Sequence, residues 1–267
     1  MKKILFSIGV AGVLLASCDK KDDATATPTT GGGGGSSTPT TSYIATDSIV
    51  DGTQDSTKTV VRKFDYNSDN KIVKVWKKYP PSTTFIDWDI FTYNASGKLE
   101  KIVEYSNSIA IDSTMITYNG DYVASVIGAS KKDTAIFTFV NGKISSIVIS
   151  EQKDTAKWET ATVNGFTFDT NGGITELNYG GMGITTVPTT VANPYYANFA
   201  SDDWFDLASP FVLSEVSQKD SVPKKLISEI AYTLDASGRA ETLTEKEYSF
   251  EDGSLKGTIV RTITYKP

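Results

Sequence analysis

Histidine is absent from this chain of 267 residues, and Cys18 is its only cysteine. Without histidine the chain cannot build zinc sites that use this ligand, or catalytic triads of the Ser-His-Asp type. With one cysteine it cannot form an intrachain disulfide, so its stability must come from a hydrophobic core. We therefore expect a protein that is not an enzyme and that holds no metal and no cofactor.

Long hydrophobic runs are also scarce. The run at residues 4–15 is shorter than the roughly 20 residues that a membrane-spanning helix needs. It follows Lys2-Lys3 and precedes Ala16-Ser17, which is the order of a cleaved signal peptide over residues 1–17. The stretch Leu15-Ala16-Ser17-Cys18 resembles the lipobox of bacterial lipoproteins. This resemblance implies that Cys18 carries the lipid and becomes the mature N-terminus.

Basic charge is in short supply as well. Without residues 1–17 the chain keeps 24 basic and 32 acidic residues, a net charge of −8. An acidic chain with no basic patch is a poor ligand for nucleic acid. We expect no nucleic-acid partner, and membrane contact only through the N-terminal lipid.

Residues 18–42 predict a lipidated N-terminus followed by a tether. Residues 19–42 contain no large apolar side chain and include five consecutive glycines, so they cannot bury enough surface to fold. The opening Asp19-Lys20-Lys21-Asp22-Asp23 resembles the surface-export signal of lipoproteins in one Gram-negative phylum, which implies the outer membrane and the cell surface. In enterobacterial lipoproteins an Asp after the Cys instead implies retention at the inner membrane.

Residues 43–267 are dominated by a repeat. Each unit has two large apolar residues separated by one small or polar residue, and most are followed by a turn such as Asn-Gly, Asp-Gly or Ser-Gly. The triplets are Phe64-Asp65-Tyr66, Phe91-Thr92-Tyr93, Ile116-Thr117-Tyr118, Phe137-Thr138-Phe139, Phe166-Thr167-Phe168, Tyr232-Thr233-Leu234, Tyr248-Ser249-Phe250 and Ile263-Thr264-Tyr265. Self-similarity at a fixed period usually decides a fold.

The repeat predicts a chain of β-hairpins. Alternation puts the aromatic residues on one face of a strand, and the glycine of the turn supplies the positive φ angle of a tight hairpin. Return strands do not alternate cleanly, since Leu99 and Ile102 are three residues apart, which indicates either a bulge or burial on both faces. We expect a mainly β fold: a single long curved antiparallel meander with one aromatic and one Thr-rich face.

These units resemble the YD-type hairpin repeats of Rhs-like bacterial surface proteins. With the lipobox, the chain resembles surface lipoproteins of gut-type Gram-negative bacteria that carry such repeats in a domain of unknown function. This resemblance implies a curved antiparallel sheet at the cell surface and names no ligand. The Tyr-Asp core is kept only loosely, as in Phe64-Asp65-Tyr66.

An insert at about 180–225 interrupts the repeat. Asn193 and Pro194 form a helix-start pattern, and a second one begins at Ser201-Asp202-Asp203. One interpretation is a short helical lid that covers the aromatic face of the sheet. The other is a ligand platform in which Tyr195, Tyr196 and Trp204 stack on sugar rings.

Two further patterns stay open. Asp202 with Asp203 or Asp206 has the residue types of a glycoside hydrolase pair, although acids at a helix start usually only complement the helix dipole. Six Asp-Ser/Thr-apolar triplets resemble O-glycosylation acceptors of exported proteins and are equally typical of hairpin turns: they start at Asp47, Asp55, Asp112, Asp133, Asp154 and Asp220.

The sequence therefore favours a lipid-anchored, outward-displayed β-repeat protein that works as a non-enzymatic binding or scaffold module. Its partner is an unidentified protein or glycan. The alternative is a carbohydrate-binding accessory lipoprotein for nutrient capture, and the weakest reading is a glycoside hydrolase.

Overall fold

The computed structural model describes residues 43–53, 58–120, 122–129, 134–140, 143–154, 157–195, 211–221, 223–249 and 252–267. Within these ranges the chain forms sixteen strands and no helix. The strands are β1 Ile44–Asp51, β2 Lys58–Tyr66, β3 Ile72–Lys78, β4 Asp87–Tyr93, β5 Leu99–Ser106, β6 Ile109–Asn119, β7 Tyr122–Gly128, β8 Thr134–Val140, β9 Lys143–Asp154, β10 Lys157–Phe168, β11 Ile174–Tyr179, β12 Met182–Ala192, β13 Phe211–Gln218, β14 Leu226–Leu234, β15 Ala240–Tyr248 and β16 Leu255–Tyr265.

The strands close into one antiparallel barrel. Each strand pairs with its neighbours in sequence, and β1 also pairs with β16. Ile49 lies opposite Arg261 in that closing ladder, and the N–H of Lys266 donates to the carbonyl of Tyr43 over 2.8 Å. The ladders that the described residues form therefore close the barrel without a strand from outside residues 43–267.

The predicted single curved meander with a helical insert is therefore wrong in two respects. The sheet is closed, and the described parts of the insert form β12 and β13 rather than helices. An open sheet would leave two edges with unpaired backbone groups and an uncovered aromatic face. Closure removes both edges and turns the aromatic face toward the barrel interior.

A bulge at the start of the return strand is the regular feature of the repeat. The ladder register shifts at the last residue of the apolar triplet. Thr92 pairs with Lys101, for example, whereas the next residue, Tyr93, pairs with Leu99, so Glu100 is the extra residue of the return strand. The same shift occurs in the ladders β2–β3, β6–β7, β8–β9, β10–β11 and β14–β15. It lets both Leu99 and Ile102 point into the buried interior, so the bulge is the correct reading of their spacing.

Turn residues adopt the backbone angles that the sequence predicts. Gly97, Gly120, Gly172, Gly238 and Gly253 all have positive φ. Asn70 takes the same position in the first repeat, with a φ of 58°, because asparagine tolerates this region better than most side chains. The hairpin turns of the repeat are thus confirmed.

Tyrosine hydroxyls join four of the described triplet strands to the strand before them, at one end of the barrel. We call this the proximal end, where Ile44 begins β1 and Tyr265 ends β16, and the opposite end the distal end. The last tyrosine of an even-numbered strand donates to the first carbonyl of the strand before it. The pairs are Tyr66 to Ile44 at 2.8 Å, Tyr93 to Ile72 at 2.8 Å, Tyr118 to Leu99 at 2.9 Å and Tyr265 to Ala240 at 2.6 Å.

A basic residue next to the turn joins the first two units to the unit that follows each of them. Lys71 lies 5.3 Å from the ring centre of Tyr93 and donates to the carbonyl of Gly97 over 2.7 Å. Lys98 makes the equivalent contacts with Tyr118 and with the carbonyl of Gly120. These contacts explain why a lysine or arginine follows several turns: it covers an aromatic face and satisfies a turn carbonyl.

The two faces of the barrel wall differ in polarity. Each strand contributes at least one buried inward side chain, such as Phe91 or Ile144, and the triplet aromatics pack against this core. The middle residues of the triplets, such as Thr92 and Thr138, are exposed outside. The predicted division into an aromatic face and a Thr-rich solvated face is thus correct, with the aromatic face on the inside.

The signal peptide, the tether, Cys18, Tyr196, Trp204 and Asp202, Asp203 and Asp206 lie outside the described residues. Among the residues that the structure describes, no helix combines the length and the hydropathy required to cross a membrane.

Candidate functional site

A buried ion pair marks the seam where the barrel closes. Asp47 on β1 accepts hydrogen bonds from Arg62 on β2, at 2.9 Å from Nε and 2.5 Å from Nη2. Both residues are almost completely buried, at 1% and 4% exposure. The hydroxyl of Tyr195 also donates to Asp47, over 3.1 Å. Three groups from distant parts of the chain therefore satisfy one another inside the barrel.

A second arginine approaches Tyr195 from the other side of the seam. The guanidinium carbons of Arg62 and Arg261 lie 5.8 and 5.7 Å from the centre of its ring. Arg261 in turn lies 4.0 Å from Glu245 on β15. Tyr195 thus sits between two guanidinium groups, which each have an acidic partner, and we call these five residues the seam cluster. The cluster fixes a ring of 0% exposure inside the barrel next to the closing ladder.

The segment after β12 delivers Tyr195 to this position. The side-chain oxygen of Asn193 accepts the N–H of Tyr195 over 3.0 Å, which forms an Asx turn. Val191 and Asn193 are buried on either side of Ala192, where β12 ends. The insert therefore enters the interior directly after β12, and Tyr195 is one of the largest fully buried side chains.

Acidic side chains continue along the inner wall toward the distal end. Asp89, Glu104 and Asp112 lie side by side on β4, β5 and β6. Lys77 compensates part of this charge with an ion pair of 2.8 Å to Asp89. No group of three or more metal-ligating side chains in the described part of the chain is arranged to hold an ion.

A row of aromatic rings crosses the outer wall near the distal end. Trp76, Trp88 and Tyr105 lie opposite one another on β3, β4 and β5. Their ring centres are separated by 5.6 Å in each pair. Lys74 lies 3.2 Å from the centre of the Trp76 ring and 4.4 Å from that of Trp88. Burial among these rings lowers the pKa of Lys74.

The aromatic row is anchored on a carboxylate. The indole N–H of Trp76 donates to Asp65 on β2 over 2.6 Å. The rings of Trp88 and Tyr105 stack on each other at an angle of 14°, so part of their faces is already covered. The row stabilises strand pairing and leaves half-exposed aromatic edges on the outside.

The structure places the predicted ligand residues as follows. Tyr195 has no exposed surface, and its hydroxyl donates a hydrogen bond to Asp47. Its ring therefore presents no face to a ligand that approaches from solvent. The glycan role of Tyr196 and Trp204 and the lipid role of Cys18 stay predictions. Of the open Asp-Ser/Thr positions, Asp47 belongs to the seam cluster, while Asp112 and Ser113 lie within β6.

Sequence reasoning missed the seam cluster and the aromatic row. The signal for the row was the spacing of Trp76 and Trp88 on either side of one hairpin, which places them opposite each other once the register is known. The signal for the cluster was weaker. Isolated charges such as Asp47 and Arg62 in strands are usually solvated. Alternation with buried Phe64 puts Arg62 inside, whereas Asp47 reaches the inner face because the register shifts between Ile44 and Thr46.

Comparison with known proteins supports the fold. The chain matches no protein-family model and no curated protein. Among solved structures it is similar to a porin-like protein from Bacteroides uniformis over 86% of this chain and 100% of that one, with a TM-score of 0.54 and 12% identity. A porin-like protein from Bacteroides vulgatus gives a TM-score of 0.42, with 12% identity over 85% and 99% of the two chains.

A part of the Photorhabdus luminescens Tc holotoxin pore is a third structural match. It covers 75% of this chain and 12% of that chain, with 10% identity and a TM-score of 0.31. Of these three matches, the Bacteroides uniformis protein is similar enough to indicate a shared fold. The chain is therefore a β-repeat protein that shares the β-barrel fold of that structure.

Proposed function

We propose that this chain is a non-enzymatic barrel of the outer-membrane type that acts as a binding or scaffold module rather than as a channel. A lipid on Cys18 holds it at the membrane, and the tether of residues 19–42 presents the barrel at the cell surface. The observation that carries the proposal is the packed interior of the barrel near its proximal end and at the seam.

A barrel of sixteen strands is wide enough to leave an aqueous channel when its lumen is lined by solvated side chains. Here the inward residues near the proximal end are buried apolar side chains, such as Ile72, Leu99 and Ile174. At the seam the lumen holds Tyr195 with its two arginines. An interior that is packed in this way serves as a core, which leaves the outside and the two ends for binding.

The outer wall supports a barrel that is surrounded by water. Lys63 and Lys246 are exposed on the outer face, and Glu229 accepts the hydroxyl of Tyr248 there. A lysine that faces lipid near the bilayer midplane costs about 2–4 kcal/mol. The lipid anchor therefore has to provide the membrane attachment.

Solubility and conductance test this proposal together. Residues 43–267, produced without detergent, are expected to stay folded and dispersed in buffer. The same protein, added to liposomes, is expected to leave them impermeable to small sugars. A requirement for detergent, or swelling of the liposomes in sugar solution, would contradict the proposal and favour a porin-like channel.

The half-exposed row of Trp76, Trp88 and Tyr105 favours glycan binding as a second candidate function. Aromatic rings contribute to sugar recognition through their faces and edges, and Lys74 adds a charge beside them. A glycan array on residues 43–267 tests it, with Trp88→Ala as the binding variant and Tyr232→Ala, a ring elsewhere, as the control. If the glycan-array signals persist in Trp88→Ala, the aromatic row is not the glycan-binding site.

A further inference from the structure

The outer wall formed by β6–β10 carries almost no charge at its described outward positions. From Ser113 on β6 to Asn164 on β10, the described side chains that point outward over the middle of these strands are Ile, Val, Met, Ser, Thr and Asn. The exception is Lys143, which pairs with Val140 at the proximal edge and lies 5.0 Å from the centre of the Phe168 ring. In a chain with 22% charged residues, a wall with one charge at its edge among the described outward positions is a distinct surface. We call it the uncharged wall.

Large apolar side chains on this wall are exposed. Ile136 and Val140 on β8 are 51% and 57% exposed, and Met115 on β6 and Ile127 on β7 exceed 40%. Met115 lies directly opposite Ile127, and Ile136 lies opposite Val148 on β9. Ile127 and Ile136 are diagonal neighbours, since Ile136 lies opposite Ser125 and Ile127 opposite Thr134. The two apolar pairs are therefore offset by one pair of positions and together span four strands.

Hydroxyl groups between these apolar residues already have partners on the wall itself. Thr117 and Ser125 share a hydrogen bond of 2.7 Å across β6 and β7, and Ser150 and Thr160 share one of 3.1 Å across β9 and β10. A hydroxyl that is bonded to a neighbour loses less when water is removed than one that depends on water. The wall can therefore be covered at low desolvation cost.

The size of the wall suits a protein interface. Five strands spaced about 4.8 Å apart, with two to four described outward residues per strand, give a flat area of roughly 500 Å². This lies within the roughly 300–600 Å² of the largest apolar patch on a typical monomer. Two such walls together bury about 1,000 Å², which is the lower bound for a specific interface. Depletion of charge is typical of an interface centre.

The geometry points to a second copy of this chain as the partner that covers the uncharged wall. An acidic protein repels its own copies, and this repulsion is weak at the uncharged wall because its described outward positions present no carboxylate. A two-fold axis through the centre of the wall pairs the same apolar residues with themselves and buries no unpaired charge of the described residues. A membrane is a poorer occupant, because anionic headgroups attract lysine and arginine and the described outward positions offer only Lys143, at the proximal edge. A glycan is poorer too, since outward aromatic rings are missing from the described positions of this wall.

Sedimentation velocity on residues 43–267 tests the dimer at roughly 1 to 100 μM. The wild-type protein is expected to shift from monomer to dimer in this range. Ile127→Lys combined with Ile136→Lys places two charges in the interface centre and is expected to weaken association by at least about 100-fold. Val187→Lys combined with Leu255→Lys is the matched control, because both residues are exposed on other strands. Thermal melts confirm that all proteins are folded.

The outcomes separate clearly. A monomer at all concentrations, or equal weakening by the control pair, would overturn the dimer. A second experiment tests membrane binding by flotation with vesicles of neutral and of anionic lipids. If the wild-type protein is monomeric and floats with the vesicles, and Ile127→Lys/Ile136→Lys does not float, the wall binds a bilayer and the proposal of a dimer is overturned. The dimer forms between two barrels of residues 43–267 and does not require the lipid anchor. Its failure would leave the proposed function untouched.

Discussion

Replacement of Asp47 by alanine is the sharpest test of the seam cluster. The carboxylate of Asp47 accepts two hydrogen bonds from Arg62 and one from Tyr195, and it is buried. Its removal takes away the acidic partner of a buried guanidinium. Breaking a buried pair in this way typically costs 3–5 kcal/mol, because the remaining charge stays out of water. We expect Asp47→Ala to lower the free energy of unfolding by about 3–5 kcal/mol.

Two control variants make the result interpretable. Tyr195→Phe removes only the hydroxyl that donates to Asp47, so we expect a loss of about 1 kcal/mol. Lys63→Ala is the surface control, because it breaks an exposed ion pair of 3.3 Å with Asp65. We expect it to lower the free energy of unfolding by less than about 1 kcal/mol. Asp65→Ala would break the same pair but would also remove the acceptor of the Trp76 indole N–H.

Urea unfolding followed by tryptophan fluorescence measures all three differences, provided that the transitions are two-state. If Asp47→Ala costs no more than Lys63→Ala, the seam cluster does not hold the barrel closed and the reasoning fails. A double-mutant cycle between Asp47→Ala and Tyr195→Phe gives the coupling of the two side chains. A coupling energy of zero would mean that Tyr195 is inside the barrel without being fixed by Asp47.

Three further predictions concern the tyrosine contacts and the anchor. Tyr93→Phe removes the hydroxyl that donates to Ile72 and should lower the free energy of unfolding in urea by about 1 kcal/mol. Tyr105→Phe, on the outer wall, should lower it by less. The opposite order of the two losses would contradict a stabilising role for the tyrosine hydroxyls at the proximal end. Burial raises the pKa of Tyr93 to about 12 from its ordinary value of 10. The stabilisation from this neutral tyrosine should therefore be complete below pH 10 and be lost as the pH rises toward 12. Melting temperatures between pH 8 and 12 measure the loss, and a flat profile would disagree. Cys18→Ser should move the protein from the membrane to the soluble fraction without changing its melting temperature, and continued membrane fractionation would refute the lipid anchor.

Local structure could be predicted from the sequence because its causes are local. The triplet Phe91-Thr92-Tyr93 and the following Gly97 specify a strand, a turn with positive φ and the face that carries the aromatics. The spacing of Leu99 and Ile102 even indicated the bulge as one of two options. Each of these features depends on residues within one hairpin.

The role of Tyr195 could not be predicted for a different reason. Asn193 before Pro194 uses its side-chain oxygen to accept an N–H two residues later, and this contact is common to helix starts and to isolated turns. The sequence pattern is the same in both cases. Only the approach of Asp47, from a position 148 residues away, makes the turn enter the barrel and buries the tyrosine.

Barrel closure depends on a contact between the two ends of the described chain, and the repeat itself explains why closure is favourable. In the first and second units a lysine that follows the turn, Lys71 or Lys98, covers the aromatic ring of the next unit. The ring of the first unit, Tyr66, has no unit before it in sequence. Lys266, which follows the last triplet, lies 4.5 Å from the centre of this ring. The last unit thus supplies to the first the contact that these two units supply to their successors, and the first ring receives this contact only when the chain closes.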